Sequence, residues 1–288
     1  MNTDRYLRRI RQEFPDLKFK KVRIPPQGID HVALILDEKW VFRFPIQRKY
    51  KDLFPQEIPF LEALHKRLPV AIPHYTLIAR DHSFGAYRMI TGETLQAVAY
   101  RHCTPQAQKR MQTQIAKFLS ALHTTPLPFA KKYHVPVMDY RKELSRRLRE
   151  YRRYLRTSLK KEEQKRVDAF FDDAKQHVND PYTPCLIHCD LYTDHIYIDE
   201  RHTKISGVID FGDRAIFDPA LDFHTLWDYG HECIENIYSL YTGPKDPTFL
   251  ERSRRRFLHG AVAWVGLARH RKWKAEKEAY AHFKKYFR

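Results

Sequence analysis

The stretch Cys185–Phe223, CLIHCDLYTDHIYIDERHTKISGVIDFGDRAIFDPALDF, holds the residues that decide how this chain folds and what it can do. Leu186 and Ile187 end an apolar strand, and His188-Cys189-Asp190 turns out of it. Ile196-Tyr197-Ile198 and Ile205–Ile209 read as the two arms of a hairpin around the polar turn Asp199–Lys204. Asp210 falls where the second arm ends, just before Phe211-Gly212-Asp213. The hairpin therefore brings Asp190, His195 and Asp210 to one end. Phosphoryl transfer needs such a set: one carboxylate to accept the proton of an attacking hydroxyl, and two ligands for the metal ions that neutralise the phosphates.

Working outward toward the N-terminus, Asp4–Phe14 predicts a short helix. Lys18–Val22 and His31–Leu36 predict two strands joined by the turn Pro25–Gly28, and Trp40–Phe44 predicts a third. Ile58, Leu61, Leu64 and Leu68 have helical spacing, which predicts a helix over Gln56–Leu68. Tyr75–Ala79 and Gly85–Ile90 complete about five strands with one helix inserted. After Gly92 long helices take over. Pro105–His123 carries a stripe of Met111, Ile115, Phe118, Leu119 and Leu122. Pro126, Pro128 and Pro136 interrupt the next stretch, a basic helix or helical pair spans about Met138–Val178, and helices resume from Leu221. The expected class is α+β and bilobal: a small β-rich N-lobe over 1–90 and a large helical C-lobe over 91–288.

His188-x-Asp190 followed by His195, then Ile209-Asp210-Phe211-Gly212-Asp213, is similar to the paired signatures of the protein-kinase-like fold. The fuller string GVIDFGDRAIFDPALDF resembles the aminoglycoside and macrolide phosphotransferases more than protein kinases, with the 2″-phosphotransferase branch looking nearest. The resemblance implies a cytoplasmic small-molecule kinase that moves the γ-phosphate of ATP or GTP onto an acceptor hydroxyl, with magnesium as cofactor. Carried over, Asp190 becomes the general base, Asp210 the principal magnesium ligand and His195 the second metal position. An imidazole there departs from the commoner Asn, and magnesium prefers oxygen. His188, Asp218 and Asp222 take supporting, orienting roles.

In the N-lobe, Gly28-Ile29-Asp30-His31 occupies the place of the phosphate-covering loop, with a single glycine. Arg43 stands where the resemblance expects a lysine, a planar fork in place of a point charge, with Glu57 as its partner. Arg88, Met89 and Ile90 fall on the connector that would meet the nucleotide base.

The acceptor is less legible. Asp228, Glu232 and Glu235 predict an acidic patch suited to an aminoglycoside's ammonium groups, Glu232 and Glu235 sharing one helix face. Trp227, Tyr229 and Trp264 could instead line a pocket for a macrolide, and a sugar or amino alcohol is a further alternative. So is a catalytically silent kinase-fold protein that binds nucleotide or nucleic acid. The net charge of +17 would repel a polycationic acceptor at long range, but screening confines that to about 8–10 Å. Twelve Lys or Arg against four Glu between Arg141 and Arg166 read as solvated helix faces, and no nucleic-acid module accompanies them.

Composition excludes other classes. Hydrophobic residues at 43% place the chain among folded globular proteins. No apolar run approaches the roughly 20 residues of a membrane span, and Met1–Phe19 does not read as a secretory leader. The four cysteines lack metal-ligand spacing and read as reduced thiols.

Overall fold

The computed structural model describes residues 3–25 and 30–287. Helix α1 (Thr3–Glu13) lays Tyr6 and Ile10 on the outer face of a sheet. That sheet is five-stranded and antiparallel, ordered β1-β2-β3-β5-β4: β1 (Val22–Arg23), β2 (His31–Leu36), β3 (Trp40–Pro45), β4 (Tyr75–Ile78) and β5 (Gly85–Arg88). Phe42, Phe44 and Phe84 fill the space beneath α1, Phe44 and Phe84 stacked at 4.5 Å. The strand expected over Lys18–Val22 shrinks to β1. The amides of Lys20 and Lys21 donate to the Asp37 carboxylate at 2.9 and 2.7 Å, so this backbone is satisfied by a side chain instead of a ladder.

Helix α2 (Arg48–His65) begins well before the predicted Gln56, because Pro55 and Pro59 do not break it. Four residues apart, both prolines face solvent, where the carbonyls they leave free can bond to water. Its other face buries Phe54, Glu57, Phe60, Leu61 and Leu64. Those residues join a core that continues into α4 (Pro105–His123) and the hairpin β8 (Ile196–Ile198) and β9 (Ile205–Val208). The hairpin is extended by β6 (Glu93–Thr94), and its Gly207 bridges to Ala71.

The predicted basic stretch is a helical pair, α6 (Tyr140–Tyr154) and α7 (Lys161–Gln176), following the short α3 (Ala97–His102) and α5 (Leu127–Lys132). It packs with α9 (Phe249–His270) and α10 (Glu276–Tyr286) around a second core. Strand β7 (Cys185–Ile187) pairs with β10 (Ala215–Phe217). A run of 3-10 turns over Pro219–Tyr229 then leads through Gly230 into α8 (His231–Leu240). No helix among the described residues is long and apolar enough to cross a membrane. The four thiols are free.

Candidate active site

The loop after β7 leaves the sheet through Cys189, which has a left-handed φ of 72°. A non-glycine residue there is costly and persists only where its surroundings impose it. The restraint is Asp222: its two carboxylate oxygens accept the amides of His188 and Cys189 at 2.7 and 2.8 Å. Asp222 is fully buried and bonded to His123 at 3.0 Å, and His123 in turn meets the Tyr241 hydroxyl at 2.7 Å. Burial would raise the Asp222 pKa, but the bond and charge of His123 hold it below the ordinary range. His188 is also buried. Its Nε2–H donates to the Ile209 carbonyl at 2.9 Å, tying the loop to the end of β9. Burial pushes its pKa down to about 4, so it is a neutral strut.

Asp190, His195 and Asp210 converge, each offering a ligand atom within 4.8 Å of the others. His195 Nδ1 lies 2.6 Å from the Asp190 carbonyl, to which it donates. That bond leaves Nε2 turned toward Asp210, 3.9 Å from its Oδ2. An outer partner that fixes a ring in this way is the usual support of a ligating imidazole. Asp210 has a φ of 66°, a second left-handed non-glycine residue in the site.

The two carboxylates are tuned in opposite directions. Burial raises the Asp190 pKa to about 7 despite the counteracting charge of His195. Burial would also raise Asp210, but Arg43 and then His195 hold it well below the usual carboxylate range. One carboxyl suited to proton exchange near neutrality thus stands beside one that stays ionised, a division of labour common at catalytic sites.

Arg43 is the hub of the N-lobe side. Its Nη1 donates to Glu57 at 3.2 Å and to the Tyr75 hydroxyl at 3.4 Å, and its Nη2 donates to Asp210 at 2.7 Å. Arg43 and Glu57 are both buried. Nearby, Asp213 accepts from Lys49 at 2.9 Å and from the Tyr50 hydroxyl at 3.0 Å, joining α2 to the turn after Asp210. Asp30 is bonded by Gln47 at 2.9 Å. Gly28 and Ile29 lie outside the described residues. On the connector, the Met89 amide is spent on the Lys39 carbonyl, the Arg88 guanidinium lies 4.0 Å over the Trp40 ring, and Ile90 packs close to Gly207.

Asp190 stands at the edge of a cavity of about 940 Å³ between the α6 and α9–α10 walls. Asp228 lines it and pairs with His282 at 2.9 Å. Glu232 and Glu235 do not. Gly230, at a φ of 108°, redirects the chain so that α8 buries Cys233, Ile234 and Ile237, leaving both glutamates on the outer, solvent face. Glu235 meets His231 there at 3.2 Å. Trp264 does line the cavity, whereas Trp227 is bonded to Ser253 and Tyr229 is buried against Tyr100.

The sequence reading passed over Glu150, Asp194 and Glu278, which also line the cavity. Among its described lining residues are seven carboxylates and three guanidiniums, an acidic interior in a chain of net charge +17. Asp194 and Glu278 are exposed, with no ion-pair partner among the described residues.

Known structures share this fold. The GDP complex of wild-type aminoglycoside 2'-phosphotransferase-IIIa is 26% identical, with a TM-score of 0.86 over 99% of this chain and 98% of that one. A GDP and kanamycin complex of an APH(2") enzyme is likewise 26% identical, with a TM-score of 0.87 over 98% and 97%. A macrolide 2'-phosphotransferase type I, at 21% identity, shares the fold with a TM-score of 0.71 over 99% and 97%. The kinase-like architecture and the small-molecule phosphotransferase character expected from the Asp190–Asp210 stretch accord with these neighbours. Residues 21–281 match the phosphotransferase enzyme family, and the chain belongs to that family.

Proposed function

We propose that this kinase transfers the γ-phosphate of ATP or GTP to a hydroxyl of a polycationic, aminoglycoside-like acceptor, with Asp190 as general base. The observation that carries the reading is the convergence of Asp190, His195 and Asp210 within 4.8 Å at the edge of the acid-lined cavity. Asp190 accepts the hydroxyl proton as the oxygen attacks, and its raised pKa suits a group that must take up and release a proton near neutral pH. Arg43 faces the phosphate side, where its guanidinium can stabilise charge developing on the transferred group.

Asp210 offers the carboxylate a magnesium ion requires, since such an ion takes most of its oxygens from water and nucleotide phosphates. Asp210 and His195 would hold it, and the ion would supply neutralisation of the nucleotide phosphates. The cavity supports the choice of acceptor. Ammonium groups entering it meet the unpaired Asp194 and Glu278, while Trp264 offers an apolar wall to a sugar ring. Neighbours carry aminoglycosides, among them kanamycin in one and streptomycin with ATP in another. A cytoplasmic setting follows from dependence on nucleoside triphosphate and agrees with free thiols.

The test is a panel of aminoglycosides, macrolides, neutral sugars and amino alcohols incubated with the chain, magnesium and each triphosphate, with products read by mass. Phosphorylated aminoglycosides with all other compounds unchanged is the expected result. Phosphorylation of a macrolide or a neutral sugar alone would overturn the acceptor assignment.

A further inference from the structure

Three arginines in the first two turns of α9, Arg252, Arg255 and Arg256, form one wall of a second, much smaller cavity of about 10 Å³. Tyr140 at the start of α6 closes it on one side, and the chain after α7 closes it on the other. None of its lining residues belongs to the acceptor cavity. The space suits a single species of about the size of a water molecule or a monatomic ion.

Two of the guanidiniums are already engaged. Arg252 donates to Asp218 at 2.9 and 3.0 Å and to Asp246 at 2.6 and 2.8 Å. Arg255 donates to Asp180 at 2.9 Å. Arg256 differs from both. Its side chain is only 7% exposed, and its buried Nε has no hydrogen-bond partner among the described residues. Its nearest carboxylate oxygen is that of Asp218, 3.6 Å from Nη2 and held by Arg252. The guanidinium carbon lies 3.4 Å over the Tyr140 ring, which covers its face. Such a contact offsets the charge but accepts none of the N–H bonds at the guanidinium edge. Native proteins leave few buried donors in this state, and an ion is one of the ordinary reasons for one.

The rest of the lining indicates the ion's chemistry. The hydroxyls of Tyr140 and Tyr182 make no hydrogen bond among the described residues. Asp180, the one carboxylate of the described lining, is taken by Arg255 and by Nδ1 of His177 at 3.2 Å. Free donors therefore face one another without a free carboxylate between them. A water molecule would bring two more hydrogens to such a set, whereas a halide accepts from every side and donates nothing. Three guanidiniums against one carboxylate favour negative charge as well.

We propose that this cavity binds a single chloride ion, which accepts from Arg256 and from the tyrosine hydroxyls. The ion ties α6, the chain after α7 and α9 together, so its effect falls on the stability of the C-lobe. The site stands apart from the kinase reading and does not depend on it.

Melting of the whole chain is followed at fixed ionic strength as sodium chloride replaces sodium gluconate, whose anion is too large to enter. Wild type is expected to gain about 2–4 °C, saturating with chloride. Arg256→Gln removes the unpartnered guanidinium and should lose the gain. Tyr182→Phe removes one hydroxyl donor at a half-buried position and should reduce it. The same variants control for general salt effects. Wild-type crystals grown in sodium bromide decide the matter even where Arg256→Gln does not fold: an anomalous peak beside Arg256 Nε is expected. Equal melting of wild type in the two salts, a gain undiminished in both variants, or a bromide crystal with no anomalous peak in the cavity would overturn the proposal.

Discussion

Asp222 reaches back across the fold to His188 and accepts its backbone amide at 2.7 Å while accepting that of Cys189 at 2.8 Å. The loop that carries Asp190 is thus positioned from below by a fully buried carboxylate. Asparagine has only one acceptor oxygen, so Asp222→Asn leaves one buried amide unpaired at a cost of about 1–3 kcal/mol. The expected outcome is a lower melting temperature together with a turnover loss of tenfold or more, read by calorimetry and steady-state kinetics. Wild-type turnover in a destabilised variant would show that the loop holds its shape without Asp222.

Arg43 meets four side chains through two nitrogens, and a lysine cannot. Arg43→Lys keeps the charge and loses the fork. We expect nucleotide KM to rise about tenfold, equivalent to ~1.4 kcal/mol, with acceptor KM within twofold of wild type. Arg43→Ala is the poorer test, because it strands the buried Glu57 and costs about 3–5 kcal/mol of stability. The opposite split between the two KM values would place Arg43 away from the phosphates.

Asp190 gives the fold a pH dependence of definite sign. Its folded pKa is raised to about 7 from 3.8, mainly by burial. Between those values the folded state holds a proton that the unfolded state has released, so stability falls as pH rises through this window. Asp190→Asn removes that liability. The variant should melt higher than wild type above pH 7, by about 2 °C, and show no gain near pH 4. The side chain is 31% exposed, which keeps the gain small. A constant difference at every pH would mean that the carboxyl does not titrate as its burial implies.

The acceptor wall separates two sets of acidic residues. Asp194→Asn/Glu278→Gln removes two unpaired carboxylates from the cavity lining. Each charge-assisted bond is worth roughly 1.5–3 kcal/mol, so aminoglycoside KM should rise about tenfold or more, more steeply at low salt. Glu232→Gln/Glu235→Gln, on the outer face of α8, should leave both KM values alone. Kinetics at two salt concentrations check this, and a silent cavity double variant would remove the polycationic acceptor from the account.

What could be read from the sequence was local. The hairpin around Asp199–Lys204 is announced by Ile196, Ile198 and Ile205, and it alone dictates that His195 and Asp210 sit together. Its arms are near neighbours in the chain, so no long-range packing had to be guessed. The Arg43–Glu57 pairing was likewise legible, one strand and one helix apart. The cavity wall was not. Glu150, Trp264 and Glu278 come from α6, α9 and α10, and an acidic residue on a helix looks the same whether it faces water or a substrate. The i, i+3 spacing of Glu232 and Glu235 shows that they share a face but not which way it points. Only the burial of Cys233, Ile234 and Ile237 against the core settles that. The reach of Asp222 over 34 residues to His188 leaves no trace in local pattern.

On the proposed mechanism Asp190 takes the acceptor's proton while Asp210 and Arg43 serve the nucleotide. The direct measurement is a single turnover by Asp190→Asn, with magnesium triphosphate and aminoglycoside saturating and the triphosphate affinity measured alongside. The expected result is a triphosphate affinity within about threefold of wild type and a phosphorylation rate reduced by about 10²-fold or more, within the ~10²–10⁴-fold range of a lost general base. Transfer at a rate near wild type, or loss of nucleotide binding in step with loss of transfer, would contradict it.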